Sequence, residues 1–282
     1  MSVKIIATFK NVEEYISCAE RGEVSVEELW DKHMIRPFWP EITKWAPFDQ
    51  SFKKPPCVRD ITSLDKQLSI LSGIPFTNLE SNFRNTTKAL PLEDDGEPMS
   101  VFFYPACDSD KTLKEQQNGV VGAVVFGNII IRINPLADDY QKWIPYVFAH
   151  EYHHNVWGYN HFVLHGGKHT DGSFLEYMIT EGQADLFAES LFPQLIPRWN
   201  RPFDGDRETA LWERIKPILS DTDPETHEAY MFGDENKGLP WCVGYSFGRM
   251  IVIDFMRKHR GLSFPELLEI PPRLIYEGSK FA

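Results

Sequence analysis

The sequence predicts an α+β protein that is mostly helical and carries one small sheet. Three observations carry this expectation. Helix-start signals followed by apolar residues at helical spacing recur before residue 90 and after residue 173. Runs of β-branched and aromatic residues gather in one region, 99–134. Between these lies a segment with two histidines four residues apart, His150 and His154, among apolar positions of helical period.

In the first 95 residues, Glu13, Tyr15, Ile16 and Ala19 suggest one helix. Ser25-Val-Glu-Glu28 reads as a capping box opening a second, and Thr77-Asn-Leu-Glu80 as another before Phe83. The passage from Pro37 to Pro56 holds Phe38, Trp39, Trp45 and Phe48, rings that serve packing or wall one side of a cleft. An acidic turn, 92–98, precedes the strand Ser100–Tyr104. Val120–Phe126 and Ile129–Ile133 are β-branched runs, and Gly127-Asn128 between them reads as a two-residue hairpin turn. The sheet is therefore expected to hold at least one antiparallel pair.

The next helix is expected over 138–157, with Asp138 or Asp139 as its cap. Pro145 suits a first turn better than an interior, which favours a start nearer Trp143. Tyr159–Gly172, with His161, His165 and His169, reads as a long loop. Ser173 caps a helix to Leu191, ended by Pro193. Further helices follow at Ala210–Leu219, from Pro224 to Met231, at Trp241–His259, and from Ser263 onward.

The 282 residues include 20 Phe, 10 Tyr and 8 Trp, and hydrophobic residues make up 42%, so a sizeable core can form. The net charge of −12 excludes a polyanion as the main partner, since nucleic acid and anionic membrane both need a basic face. A basic or neutral peptide suits this charge better than an acidic one. No apolar run approaches the ~18 residues of a membrane span, and the first residues do not read as a secretory signal. Cys18, Cys57, Cys107 and Cys242 are scattered without a CxxC, which points to a reduced, cytoplasmic protein with small buried thiols.

Chemistry enters at His150-Glu151-Tyr152-His153-His154, an HExxH pattern. At helical spacing its two imidazoles face one ion, and neutral imidazole nitrogen suits Zn²⁺. Glu151, one residue along, is placed to take a proton from the attacking water. Two histidines leave Zn²⁺ short of the three protein ligands usual in a catalytic site. The strongest candidate for the third is Glu181. Asp185, four residues further on the same helical face, is placed to accept the outer N–H of a ligating imidazole and fix its tautomer. Gly182 and Ala184 are small enough for a second helix to approach. His161 is another candidate. The pattern HExxHxxGxxH would need a glycine at Trp157 and a histidine at Asn160; Gly158 and His161 each stand one place late, a rotation of ~100° on a helix. His153 adjoins His154 and cannot share the apex with both motif histidines.

With these residues in view, HExxH followed by Glu-x-x-x-Asp resembles the gluzincins, the thermolysin-like zinc peptidases. H-E-Y-H-H, T-E-G-Q-A-D-L-F-A-E and G-Y-S-F-G together are similar to the predicted Zn-dependent protease family of Bacillus-type bacteria, over a span from about Val120 to the C-terminus. The resemblance implies a zincin-like core: a small mixed or antiparallel sheet, the HExxH helix and a following ExxxD helix. It implies one Zn²⁺ per chain on His150, His154 and Glu181, with Glu151 as general base. It implies an edge strand, Ile129–Ile133 or Val120–Phe126, to which an extended peptide or protein substrate adds. The interval from His154 to Glu181 is longer than in thermolysin-like enzymes, and the His-rich stretch fills it. The domain division expected is a helical region 1–95 packing on a metallopeptidase domain 96–282. The latter would comprise sheet 99–134, HExxH helix 138–157, ligand helix 173–192 and C-terminal helices 206–282. For the oxyanion donor of peptide hydrolysis Tyr245 is the first choice and His227 the second; Arg249 shares a helical face with Tyr245. The alternative function is a zinc-binding regulatory or interaction module with little hydrolysis. Glu151 weighs against it, because a purely structural site has no use for a base there.

Overall fold

The computed structural model describes residues 2–22, 24–92, 96–200 and 203–282. The chain divides into two compact units, Met1–Asn155 and Val156–Ala282. The boundary expected at residue 95 falls inside the first, and residues 93–95 of the expected acidic turn lie outside the described residues.

The first unit begins with β1 (Val3–Ala7), α1 (Phe9–Ala19), α2 (Val26–Trp30), the single turn α3 (Trp39–Ile42), α4 (Ile61–Leu71) and α5 (Phe76–Ala89). It continues with β2 (Met99–Pro105), β3 (Val120–Val125), β4 (Asn128–Ile133) and the start of α6 (Tyr140–Gly158). The strands form one mixed sheet in the order β1-β2-β4-β3. β1 pairs with β2 and β2 with β4 in parallel, while β3 and β4 form the antiparallel hairpin. The first 95 residues are thus not all helical, as β1 supplies an outer strand of the sheet.

β2 is buried along its whole length, as a strand covered on both faces must be. On one face Phe103 packs against Phe76 and Phe83 of α5, and Phe83 stacks on Phe148 of α6. On the other, Phe38 meets Phe102 and Tyr104, whose hydroxyl donates to the Met34 carbonyl at 2.9 Å. The turn of the hairpin is Phe126-Gly127, both at positive φ, one residue earlier than expected. Asn128 opens β4 instead: its buried amide accepts from the Ser100 N–H and donates to the Glu41 and Ile42 carbonyls. The aromatic passage covers this turn, with Trp45 against Gly127 and Phe48 edge-on to Phe126.

α6 starts at Tyr140, three residues before the expected Trp143, because Asp139 turns the chain in the left-handed region. Pro145 therefore lies inside the helix, where its ring removes one backbone hydrogen bond. The Ser25 cap forms, whereas α5 begins at Phe76 after Pro75, before the expected Thr77 box.

The second unit takes up the end of α6, a π-helical turn Tyr159–Leu164, and α7 (Phe174–Leu191). It then holds α8 (Gly205–Ile215), α9 (Pro224–Phe232), α10 (Val243–Lys258), α11 (Phe264–Leu268) and α12 (Pro272–Glu277). The π-helical turn replaces the first half of the loop expected at 159–172. Ser173 caps α7 as expected. α7 and α10 cross at backbone contact: a Cβ on Gly248 would stand 2.7 Å from the Met178 carbonyl carbon, and one on Gly182 would stand 2.6 Å from the Arg249 nitrogen. Gly182 thus serves the crossing with α10. Phe174, Met178, Ile179, Trp212, Phe247 and Ile251 centre the core around that crossing.

Candidate metal centre

The histidine pair is built by α6 alone. One turn of helix separates His150 from His154, and their Nε2 atoms face each other at 3.0 Å. Two imidazoles on one tetrahedral ion at ~2 Å each bring their nitrogens to about 3.3 Å, close to this spacing, at which one ring N–H can also donate to the other ring. The rings lie 4.7 Å apart at 78°. His150, His154 and Glu181 form a group in which one ligand atom of each lies within 4.8 Å of the others. Glu181 is buried in α7. A set of two imidazoles and a carboxylate is the donor chemistry of Zn²⁺, so the residues fit that ion.

Glu151 is buried one residue from His150. Its carboxylate lies over Gly122 of β3, where a Cβ would stand 2.7 Å from its Cδ and Oε1. Lys53 is nearby. Its Nζ donates to the Val124 carbonyl at 2.8 Å, burial holds its pKa below the usual lysine value, and the Glu151 charge opposes that fall. β3 ends the sheet on the side away from β1, so of the two strands expected to supply an edge it is β3, and not β4, that does. Val125 and Asn128 close the two-residue turn as a hydrogen-bonded pair, so alternation turns the main-chain groups of Gly122 and Val124 away from β4, and the Val124 carbonyl is the one that Lys53 takes. Asn155 ties α6 to the hairpin by accepting the Gly127 N–H at 2.8 Å.

The other expected residues divide. Asp185 is fully buried and accepts the Trp199 indole N–H at 3.1 Å. Tyr245 lies on α10 with its ring against Phe232; burial first, then the Glu181 charge, push its pKa well above the usual phenol value, so it stays a donor. His227 has its Nε2 2.8 Å from the Asp221 carbonyl and its ring against Phe174. Arg249 forks onto Glu189 at 2.8 and 2.6 Å. His161 is buried with Nε2 2.9 Å from the Leu268 carbonyl and takes no part in the His150 group. His153 is also buried and outside it. All four cysteines are free, and of these only Cys242 is fully buried. No helix among the described residues is long and apolar enough to cross a membrane. Sequence reasoning missed Gly122 and Lys53. A glycine inside Val-Val-Gly-Ala-Val-Val signals the close approach of another group; Lys53 carries no local signal.

The family model described as predicted Zn-dependent protease (DUF2268) matches residues 79–277. The chain belongs to this family. It is also 30% identical over 161 residues to the uncharacterised protein YjfC of Bacillus subtilis (strain 168), an alignment covering 54% of this chain and 52% of that protein. The chain thus spans about half the length of the curated relative it matches. No solved structure matches.

Proposed function

We propose that the protein is a zinc-dependent peptidase in which His150, His154 and Glu181 hold one Zn²⁺ and Glu151 is the general base. The observation that carries this reading is the convergence of two facing imidazole nitrogens and a buried carboxylate. Zn²⁺ bound there would polarise the scissile carbonyl and acidify the attacking water. Glu151 accepts the water proton on its carboxylate and returns it to the leaving amine nitrogen. Gly122 leaves room for that carboxylate at the sheet edge. An extended peptide pairs with the outward main-chain groups of Gly122 on β3, beside the Val124 carbonyl that Lys53 holds, which brings its backbone to Glu151. Tyr245, protonated at all working pH values, donates to the developing oxyanion. The charge of −12 favours neutral or basic peptide segments over acidic ones and argues against nucleic acid or membrane as partner. Four free thiols support a reducing, cytoplasmic setting.

Elemental analysis and a peptide-cleavage assay test this together. Glu181→Ala is expected to lose the zinc of this centre. Glu151→Gln is expected to keep it and lose cleavage by at least ~10²-fold, and Tyr245→Phe to keep it and lower kcat. Full zinc in Glu181→Ala would remove Glu181 from the ligand set. Cleavage unchanged in Glu151→Gln would leave a zinc-binding module instead of an enzyme.

A further inference from the structure

A second group of imidazoles lies outside the centre just described. His161, His165 and His169 follow one another at intervals of four residues, across the π-helical turn and the loop after it. Ring centroids are 6.5 Å apart for His161 and His165, 6.4 Å for His161 and His169, and 5.5 Å for His165 and His169. We infer that these three histidines form a second metal site, suited to a borderline divalent cation such as Zn²⁺, with the Leu268 carbonyl and Glu269 as its outer supports.

The argument rests on where the ring protons go. His161 is fully buried, and its Nε2 lies 2.9 Å from the Leu268 carbonyl oxygen. A carbonyl only accepts, so Nε2 carries the proton and Nδ1 keeps its lone pair. That Nδ1 is buried and has no hydrogen-bond partner. A buried acceptor without a partner is costly, and a cation would satisfy it. His165 also has a carboxylate behind one ring nitrogen, with Nε2 3.1 Å from Glu269, which Asn160 also holds through its side-chain amide. Carboxylate or carbonyl behind one ring nitrogen, with the other left free, is how ligating histidines are oriented.

Two imidazoles on one tetrahedral ion have their centroids about 5 Å apart. The pair His165 and His169 is near that value; His161 must be approached by about 1 Å more. His165 is half-buried and His169 exposed, and the three rings do not yet meet the spacing of the His150 group, so binding the ion would draw the two outer rings onto the buried one. Bound metal would fasten the turn Tyr159–Leu164, which exposes Phe162, Val163 and Leu164, to the end of α11.

The test is metal stoichiometry on the full chain, with ZnCl₂ alone as probe and excess removed by dialysis. The expected result is one zinc equivalent fewer in His165→Ala/His169→Ala than in wild type, at unchanged near-UV circular dichroism. Both rings reach the surface, so the fold tolerates their loss. Glu269→Gln leaves all three rings in place and is expected to weaken zinc binding at this site by about 10–100-fold in a competition titration. The same zinc content in the double variant and wild type would overturn the inference. Glu181→Ala reports on the other centre separately: loss there with none in the double variant sinks this site alone, and the reverse sinks the peptidase centre alone.

Discussion

The missing side chain of Gly122 decides where the Glu151 carboxylate sits. Any Cβ there would stand 2.7 Å from the carboxylate carbon, well inside contact distance. Gly122→Ala should therefore push Glu151 aside without touching His150, His154 or Glu181. For a general base, the role proposed for Glu151, a displacement of about 1 Å costs ~10²-fold. We expect kcat/KM to fall by that order at unchanged zinc content; cleavage within twofold of wild type would show that Glu151 acts from elsewhere. At this scale the centre was legible where its parts are close in sequence. His150, Glu151 and His154 are fixed by helical spacing alone. Glu181 needed the i, i+4 partner Asp185 and a family resemblance. Lys53 was not legible at all, because its partner Val124 is 71 residues away and a lysine among aromatic residues says nothing about a strand carbonyl.

At the scale of elements, α7 carries Glu181 and Asp185, and its position depends on the crossing with α10. Both helices are apolar on most sides, so the crossing is held by shape, and the two glycines set the distance. Gly248→Ala would drive a methyl into the Met178 carbonyl, a backbone group that cannot swing away. Overpacking of this kind costs about 1–3 kcal/mol, and backbone contact puts this case at the upper end. At roughly 2–4 °C per kcal/mol, the thermal midpoint should drop by about 5–10 °C. A midpoint within a degree of wild type would mean that the helices can part freely. Element by element, capped helices were read well: Ser173 announces α7 through its own hydroxyl. β1 escaped because Val3–Ala7 is short and its strand partner, β2, begins at Met99. No local pattern reports a parallel pairing over such a distance. The hairpin turn was placed one residue late for a related reason. Gly-Asn is a good turn pair locally, but Asn128 is held inward by Ser100, Glu41 and Ile42, and the turn falls on Phe126-Gly127.

At the scale of the molecule, charge is the property that acts beyond any contact. With 41 acidic against 29 basic residues, the chain repels anions and draws cations at low ionic strength. The range of this field is about 30 Å at 0.01 M salt and about 8 Å at 0.15 M. A field that acts on encounter changes the association rate and leaves the chemical step alone. For a peptidase with this charge, kcat/KM on a lysine-containing peptide should fall several-fold across that range of salt, with kcat unchanged. The same peptide with glutamates in place of the lysines should show the opposite slope. Parallel slopes for the two would mean that salt acts on the protein and not on the encounter. Flat lines for both would confine selection to short-range contacts at the β3 edge, and would redirect the search for a substrate from peptide charge to the side chains flanking the cleaved bond.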